Sequence, residues 1–209
     1  MLFRSPSLDA IAVAPDLAWA SFPCQDLSLA GNGAGLSGAR SSAFFGFRDV
    51  VAALAREGRA PKILALENVV GLLTSNSGRD FAALLRALKA LGYDFGALTI
   101  DAALFSPQSR PRLFVIAARS DLAIAPAFVS RTPSACFASA ALLRAQEALD
   151  RDLKASWRWW RLPAPPAMNM RLADVIETNP PDVPWHSREE DRMSTRLNSS
   201  HIPLSRMPS

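Results

Sequence analysis

The sequence is poor in cysteine and histidine, and it has no long apolar run. Its 209 residues include two cysteines, Cys24 and Cys136, and two histidines. Two distant cysteines exclude a disulfide framework, and neither has a second cysteine at the spacing of zinc ligands. No apolar run reaches the roughly 18 residues of a membrane span, and the N-terminal residues lack the apolar segment of a secretory signal. We therefore expect a cytoplasmic protein with no metal and no membrane partner.

Lysine is scarce as well, although the chain is basic. The chain has three lysines and 20 arginines, and its formal net charge is +4. A basic balance favours a polyanionic partner. The excess of arginine, together with abundant alanine, is also typical of a high-GC coding bias, so a single arginine is weak support for a phosphate contact. With 49% hydrophobic and 20% charged residues, the chain is long enough for one domain with a core, or one domain and part of another.

Apolar runs of two kinds alternate along the first part of the chain. Short continuous runs predict buried strands at 16–21 and 62–70, and two further strands at 95–101 and 112–119. Apolar residues at helical spacing predict helices within 42–58 and 79–93, each closed by a glycine. This order predicts an α/β fold with a mostly parallel sheet that ends in an antiparallel strand pair.

The later part of the chain has a different character. Residues 135–156 predict one helix, and the stretch 157–170 is rich in tryptophan and proline, which indicates a linker or the start of a second module. Residues 172–187 have room for a short helical turn before a proline. The final residues show no periodicity and no run that could form a core.

Three polar clusters follow strands of the predicted sheet. Cys24 comes just after the first strand, Glu67 and Asn68 end the second, and the segment 108–112 joins the last two. Because ligands of open α/β sheets bind at the carboxyl ends of strands, we expect the clusters to share one edge. A thiol in such a turn is expected to be partly exposed and beside backbone donors, which favours the thiolate. The alternatives are a buried structural cysteine and a strand-end acid that is only solvated or paired.

A cysteine hydrolase is one enzymatic interpretation of Cys24. It requires a histidine base within reach of the thiol. Both histidines, His186 and His201, lie in the irregular late part of the chain. The pattern therefore disfavours Cys–His chemistry.

The segment 33–38 matches the pattern GxGxxG. A dinucleotide-binding loop should follow a strand directly and open a helix, with an acidic residue about 20 positions further on. Here the segment follows a polar loop, and Glu57 lies in a helical pattern. We interpret the segment as a flap that closes over a substrate.

Three stretches, in this order and at these separations, resemble the DNA cytosine-5 methyltransferases: "FPCQDLSLAG", "ENVVGLL" and "PQSRPRLFVIA". The resemblance covers residues 9–120, and 172–187 is similar to the region where some members enter their target-recognition part. It implies a partial Rossmann-like fold of the S-adenosylmethionine-dependent methyltransferases. The implied function is transfer of a methyl group from S-adenosylmethionine to carbon 5 of cytosine in DNA.

The resemblance implies roles for four catalytic residues. Cys24 would be the nucleophile that adds to carbon 6 of the cytosine, which makes carbon 5 reactive towards the methyl group. Glu67 would hold the N3 and amino edge of the base and stabilise protonation at N3. Arg112 would bind the ring carbonyl oxygen, and Arg110 would help to orient the site.

The remaining implied contacts are with DNA and with the methyl donor. Double-stranded DNA is the implied partner, and the target base must leave the duplex to reach the thiol. Pro23 would lie between the base and S-adenosylmethionine. The residues implied near the DNA or as braces of the base site are Gln25, Ser28, Arg40, Asn68 and Gln108.

The chain also departs from the family pattern. No glycine-containing strand–turn for the cofactor precedes the first strand, and the motif that returns to the core is not found. We expect a fragment with three regions: a partial catalytic domain at 1–125, then a helix, a linker and the start of a target-recognition region at 126–193, and an irregular, non-native tail at 194–209. Such a fragment would bind S-adenosylmethionine weakly or not at all, and would expose an open sheet edge and uncovered apolar faces.

The expected setting is a prokaryotic or phage restriction-modification system, near the nucleoid. A complementing chain could supply the missing cofactor-binding part, and otherwise a monomer is expected. The alternative to an enzyme is a non-enzymatic remnant, or a fragment that binds DNA without activity.

Overall fold

The computed structural model describes residues 13–22, 42–167 and 170–177. The chain divides into two compact units, Met1–Met170 and Arg171–Ser209. In the described part of the second unit, residues 172–175 form one short helix, where the Asp174 carboxylate accepts the backbone N–H of Arg171 at 2.7 Å. No helix among the described residues is long and apolar enough to cross a membrane.

The first unit alternates strands and helices as the sequence predicts. Its strands are β1 (Leu17–Ser21), β2 (Ile63–Val69), β3 (Tyr93–Asp101), β4 (Pro111–Arg119), β5 (Val129–Ser130) and β6 (Trp159–Trp160). Its helices are α1 (Ser42–Arg56), α2 (Arg79–Ala90), α3 (Ala140–Glu147) and α4 (Arg151–Ala155), and the helix of the second unit is α5 (Leu172–Val175). The four predicted strands and the two helices between them are confirmed to within a few residues.

The main sheet has the strand order β1-β2-β4-β3. β1 and β2 are parallel, whereas β4 is antiparallel to both of its neighbours. β1, β2 and β3 therefore share one direction, and β4 alone opposes them. The predicted α/β fold with an antiparallel pair at its end is confirmed. Because β4 inserts between β2 and β3, the start of β4 lies beside the end of β2.

One face of the sheet is covered by the helices and holds the main core. α2 places Phe81, Leu84, Leu85 and Leu88 on one side at helical spacing, and all four are at most 1% exposed. Burying each such side chain stabilises the fold by about 1.5–3 kcal/mol. The helix is followed by Gly92 in the left-handed region at φ +84°, which lets the chain turn directly into β3.

The opposite face of the sheet is only partly covered. Over β3 and β4, a second cluster contains Leu98, Phe137 and Trp160. On β1, however, Leu17 and Trp19 are 55% and 57% exposed. The strand at 16–21 is thus confirmed, but its predicted burial is wrong. β1 is an edge strand of the described sheet, and only its inner residues pack against the core.

The region predicted as one helix, 135–156, forms two. α3 begins after Ser139, whose side chain accepts the N–H of Leu142 at 3.3 Å, and α4 begins after Asp150, which accepts the N–H of Leu153 at 2.9 Å. The cap at Asp150 ends the continuity, because a capping residue has non-helical backbone angles. The sequence carried this signal, and the single-helix prediction missed it.

The tryptophan-rich segment packs against the sheet. Trp157 and Trp160 are 7% and 8% exposed. At Gly96 a Cβ atom would stand 1.9 Å from the Arg158 carbonyl oxygen, so the glycine permits this close approach. The domain boundary predicted near residue 125 stays a prediction, and described residues on both sides of it share one core. The predicted non-native tail lies outside the described residues.

Candidate active site

The ends of β1 and β2 and the start of β4 meet at one edge of the sheet. In the parallel pair Ser21 lies opposite Glu67, and in the antiparallel pair Val69 lies opposite Arg112. Successive side chains of a strand point to opposite faces. Ser21, Glu67, Val69 and Arg112 therefore share one face of the sheet, and Asn68 points to the helix-covered face.

Glu67 and Arg112 form an ion pair at this edge. Arg112 Nε lies 3.0 Å from Glu67 Oε1, and the two side chains are 21% and 22% exposed. The Ser21 hydroxyl donates to the other carboxylate oxygen, Oε2. Both oxygens of Glu67 are thus engaged, and the carboxylate is held in one orientation.

Arg112 is anchored on its other side as well. Its Nη1 donates to the Pro111 carbonyl at 3.0 Å. A guanidinium is planar, so contacts through Nε and Nη1 fix the plane of the whole group. Within the described residues, Nη2 of Arg112 donates no hydrogen bond.

Asn68 connects the ends of β1 and β2. It is 5% exposed, its Nδ2 donates to the Phe22 carbonyl at 2.9 Å, and its Oδ1 accepts the N–H of Val69 at 2.8 Å. A buried carbonyl without a partner costs about 1–3 kcal/mol. The amide therefore holds Phe22, the residue that follows β1, in place, two residues ahead of Cys24.

The loop between β3 and β4 carries the other two predicted residues that the structure describes. Gln108 and Arg110 are both exposed. Within the described ranges, no hydrogen bond or ion pair connects either side chain to Glu67 or Arg112. The structure brings Glu67 and Arg112 together and leaves Gln108 and the Arg110 guanidinium at the surface of the loop.

Asp101 organises this loop. It accepts the N–H of Ala103 at 3.0 Å, the N–H of Arg110 at 2.6 Å and the hydroxyl of Ser109 at 2.9 Å. The N–H groups of Ala103 and then Arg110, followed by the Ser109 hydroxyl, hold the pKa of the Asp101 carboxyl below its usual value. The carboxylate is therefore ionised at neutral pH.

Five predicted site residues lie outside the described residues: Pro23, Cys24, Gln25, Ser28 and Arg40. The same holds for the glycine-rich segment 33–38. In the described ranges, no group of three or more histidine, cysteine, aspartate or glutamate side chains could hold a metal ion.

Sequence reasoning missed two residues of the site, Ser21 and Asp101. For Ser21 the sequence carries no clear signal, because a local pattern does not specify the register of a parallel strand pair. For Asp101 a signal exists, since an aspartate at the end of a strand commonly accepts N–H groups of the following turn.

Comparison with known proteins places the chain in a family. Residues 5–201 match the family described as C-5 cytosine-specific DNA methylase. The chain is 39% identical over 104 residues to the type II methyltransferase M.NgoBI of Neisseria gonorrhoeae, which covers 48% of this chain and 31% of that protein. It is 33% identical over 146 residues to the DNA-cytosine methyltransferase of Escherichia coli K12, which covers 63% of this chain and 30% of that protein.

A solved structure, the Dnmt2 methyltransferase of S. pombe, aligns over 52% of this chain and 30% of that chain, at 23% identity and a TM-score of 0.36. The chain spans about a third of the length of the curated relatives it matches. The resemblance carried by the three sequence motifs is confirmed, and the chain belongs to the family of C-5 cytosine-specific DNA methylases.

Proposed function

We propose that this chain carries the base-handling part of a DNA (cytosine-5) methyltransferase. Glu67 and Arg112 hold the edge of an extruded cytosine, and Cys24 attacks its ring. The observation that carries the proposal is the Glu67–Arg112 pair, which lies at the sheet edge where β1 leads into the cysteine segment.

The pair is complementary to the polar edge of cytosine. That edge presents in order an amino group that donates, N3, and a carbonyl oxygen that accepts. A carboxylate can accept from the amino group and bind a protonated N3, and the neighbouring guanidinium can donate to the carbonyl through Nη2. Thymine presents a carbonyl oxygen where cytosine has its amino group, so a carboxylate in the same place repels it. The arrangement therefore favours cytosine over thymine.

Cys24 follows closely the end of β1, the strand whose Ser21 contacts this pair. It follows Phe22 by two residues, a span of at most about 7 Å of extended chain. Phe22 is itself tied to β2 through Asn68. In the proposed reaction the thiolate forms a bond to carbon 6, the electrons of the 5,6 double bond form a 4,5 double bond, and those of the 3,4 double bond take up a proton at N3. Carbon 5 is then an enamine carbon that can accept a methyl group. When carbon 5 afterwards loses its original hydrogen as a proton, the 5,6 double bond re-forms, the carbon–sulfur bond breaks, and N3 gives up its proton.

Double-stranded DNA is the proposed substrate. The target base must leave the stack, at a cost of a few kcal/mol, before a thiol can reach its carbon 6. Gln25, Ser28 and Arg40 are proposed to face the DNA around the vacated position, and Arg110 and Gln108 to support the base site from the loop. The relative M.NgoBI is named as a type II methyltransferase. We propose the same bacterial modification role for this chain.

Members of the family use S-adenosylmethionine as the methyl donor. The polar groups described at the sheet edge are Ser21, Glu67, Asn68 and Arg112, and they are engaged with one another or with backbone groups. Their donors and acceptors match the polar edge of cytosine, as argued above. The contact predicted for the methyl donor is Pro23, which lies outside the described residues.

The base-handling step can be tested without the methyl donor. Addition of the thiolate makes carbon 5 basic, so it takes a proton from water, and elimination then releases the hydrogen it first carried. DNA labelled with tritium at carbon 5 of cytosine should therefore release tritium when incubated with this chain. Cys24→Ser should abolish the release, and Glu67→Gln should reduce it strongly.

The matched control is DNA in which tritium is placed at carbon 6, which is not exchanged by this route. Release from carbon 5 by the wild-type chain but not by Cys24→Ser supports the proposal. If the chain binds the DNA and releases no tritium, the proposal is wrong, and the alternative of a DNA-binding fragment without activity stands.

A further inference from the structure

The carboxylate of Asp101 joins both ends of the β3–β4 loop. Its Oδ1 accepts the N–H of Ala103 at 3.0 Å near the start of the loop and that of Arg110 at 2.6 Å near its end. Its Oδ2 accepts the Ser109 hydroxyl at 2.9 Å. A single side chain thereby closes a loop of nine residues, 102–110.

The hydrogen bonding at the start of β4 explains why a side chain is needed there. Asp101 lies opposite Pro111 in the ladder between β3 and β4, and Ala102 and Arg110 follow on the loop side of that pair. The carbonyl of Ala102 accepts the N–H groups of Phe105 and Ser106, both at 2.8 Å, so the N–H of Arg110 is not bound by it as in a regular ladder. The N–H of Arg110 is bound by the Asp101 carboxylate instead. The carbonyl of Arg110 accepts the N–H of Ala102 at 3.3 Å, which completes the closure.

We infer that Asp101 is a positioning residue for the cytosine site, because it sets where β4 begins and therefore where Arg110 and Arg112 stand. This inference rests on the proposed function. Arg112 is two residues beyond the N–H that Asp101 binds, and it carries the ion pair to Glu67. The link from Asp101 to the base thus runs through two residues of continuous strand.

A carboxylate is suited to this task because it only accepts hydrogen bonds. Three donors converge on Asp101, and charged acceptors form hydrogen bonds roughly twice as strong as neutral ones. Asparagine keeps Oδ1 for the two N–H groups, and the Ser109 hydroxyl can rotate to accept from the new amide. Alanine leaves all three donors without this partner.

The test uses the full chain with Asp101→Ala and Asp101→Asn. The control is Asp121→Ala, because Asp121 is an exposed aspartate at the other end of β4 that pairs with Arg119 at 2.8 Å. Tritium release from carbon 5 reports on the cytosine site, fluorescence anisotropy of labelled DNA reports on overall binding, and amide hydrogen exchange of the segment 102–112 reports on the loop.

Asp101→Ala should lower tritium release by about tenfold to a hundredfold, the range expected when a reacting group is displaced by about 1 Å. It should accelerate amide exchange in 102–112 while DNA affinity stays the same. Asp101→Asn should restore most of the release, and Asp121→Ala should leave release and exchange unchanged. If Asp101 only stabilised the fold, Asp101→Ala would not lose tritium release while keeping its DNA affinity, and Asp101→Asn would not restore that release.

Release by Asp101→Ala at the wild-type rate overturns the inference and leaves the proposed function standing. Absence of release from the wild-type chain refutes the proposed function itself. Should Asp101→Ala unfold, Ser109→Ala removes only the Oδ2 bond and takes its place. Faster exchange in 102–112 together with reduced release then supports the inference, and no change in either overturns it.

Discussion

The amide of Asn68 offers a direct test of how the strand ends are held. Replacing it by alanine removes the donor to the Phe22 carbonyl at 2.9 Å and the acceptor of the Val69 N–H at 2.8 Å. Asn68 and Phe22 are 5% and 6% exposed, so water does not readily replace the donor. Val69 is 37% exposed, and its N–H has better access to solvent.

The expected cost follows from this difference in exposure. The buried carbonyl left without its partner costs about 1–3 kcal/mol. The more exposed N–H adds about 0.5–1.5 kcal/mol, the net value of an ordinary hydrogen bond. We expect Asn68→Ala to lower the free energy of unfolding by about 2–4 kcal/mol. With a urea m-value of about 2 kcal/mol/M, the unfolding midpoint moves down by about 1–2 M.

The measurement is urea unfolding followed by tryptophan fluorescence, since the chain has five tryptophans. Asn68→Asp is the matched variant, because it keeps the acceptor for Val69 and places a carboxylate oxygen against the Phe22 carbonyl. A charge in this buried position is unfavourable, so the pKa of the new carboxyl should be raised. Stability lost at neutral pH should therefore return as the pH falls and the group is protonated.

Two results would refute this reasoning. One is a midpoint for Asn68→Ala within about 0.3 M of wild type, which corresponds to less than the net value of one hydrogen bond. The other is equal stability of Asn68→Asp at pH 5 and pH 8. Tritium release measured in parallel should fall in both variants, because the end of β1 leads to Cys24.

Three further predictions follow from the described residues. Tyr93 is the one tyrosine of the sequence, burial raises its pKa to about 12, and its hydroxyl donates to the Pro61 carbonyl at 2.6 Å. Because the pKa of Tyr93 is higher in the folded than in the unfolded state, the free energy of unfolding should fall between about pH 10 and pH 12. Absorbance at 295 nm should show that the tyrosine ionises late, and Tyr93→Phe should lack this pH dependence of stability. Gly96→Ala should destabilise the fold by at least about 1–3 kcal/mol in thermal unfolding, since the added Cβ meets the Arg158 carbonyl oxygen at 1.9 Å, and a melting temperature equal to wild type would contradict the packing. Calorimetric titration of this chain with S-adenosylmethionine should show weak or no binding, and tight binding would mean that residues other than those described at the sheet edge hold it.

The elements that were predicted well are those whose information is local. α2 repeats apolar residues at helical spacing and ends near Gly92, and β2 is a short apolar run after Pro61. The three motifs that carry the resemblance are also local, and they were sufficient to assign the family. The break at Asp150 was local too, and the single-helix prediction for 135–156 overlooked it.

Contacts between distant segments were not accessible in this way. The exposure of Leu17 and Trp19 depends on β1 being an edge strand of the described sheet, which no property of residues 16–21 reveals. The partnership of Ser21 with Glu67 depends on the register of β1 against β2. Gly96 is required only because the Arg158 carbonyl approaches from far along the chain.

The sequence by itself determined the family, the order of strands and helices, and the residue types of the candidate site. These follow from short patterns, because helical and strand periodicity and motif spacing are written in neighbouring residues. Only the tertiary structure decided that β4 inserts beside β2, which joins Glu67 to Arg112, and that Asp101 closes the loop before them. Those contacts arise from strand order and register, which are set by packing across the whole sheet.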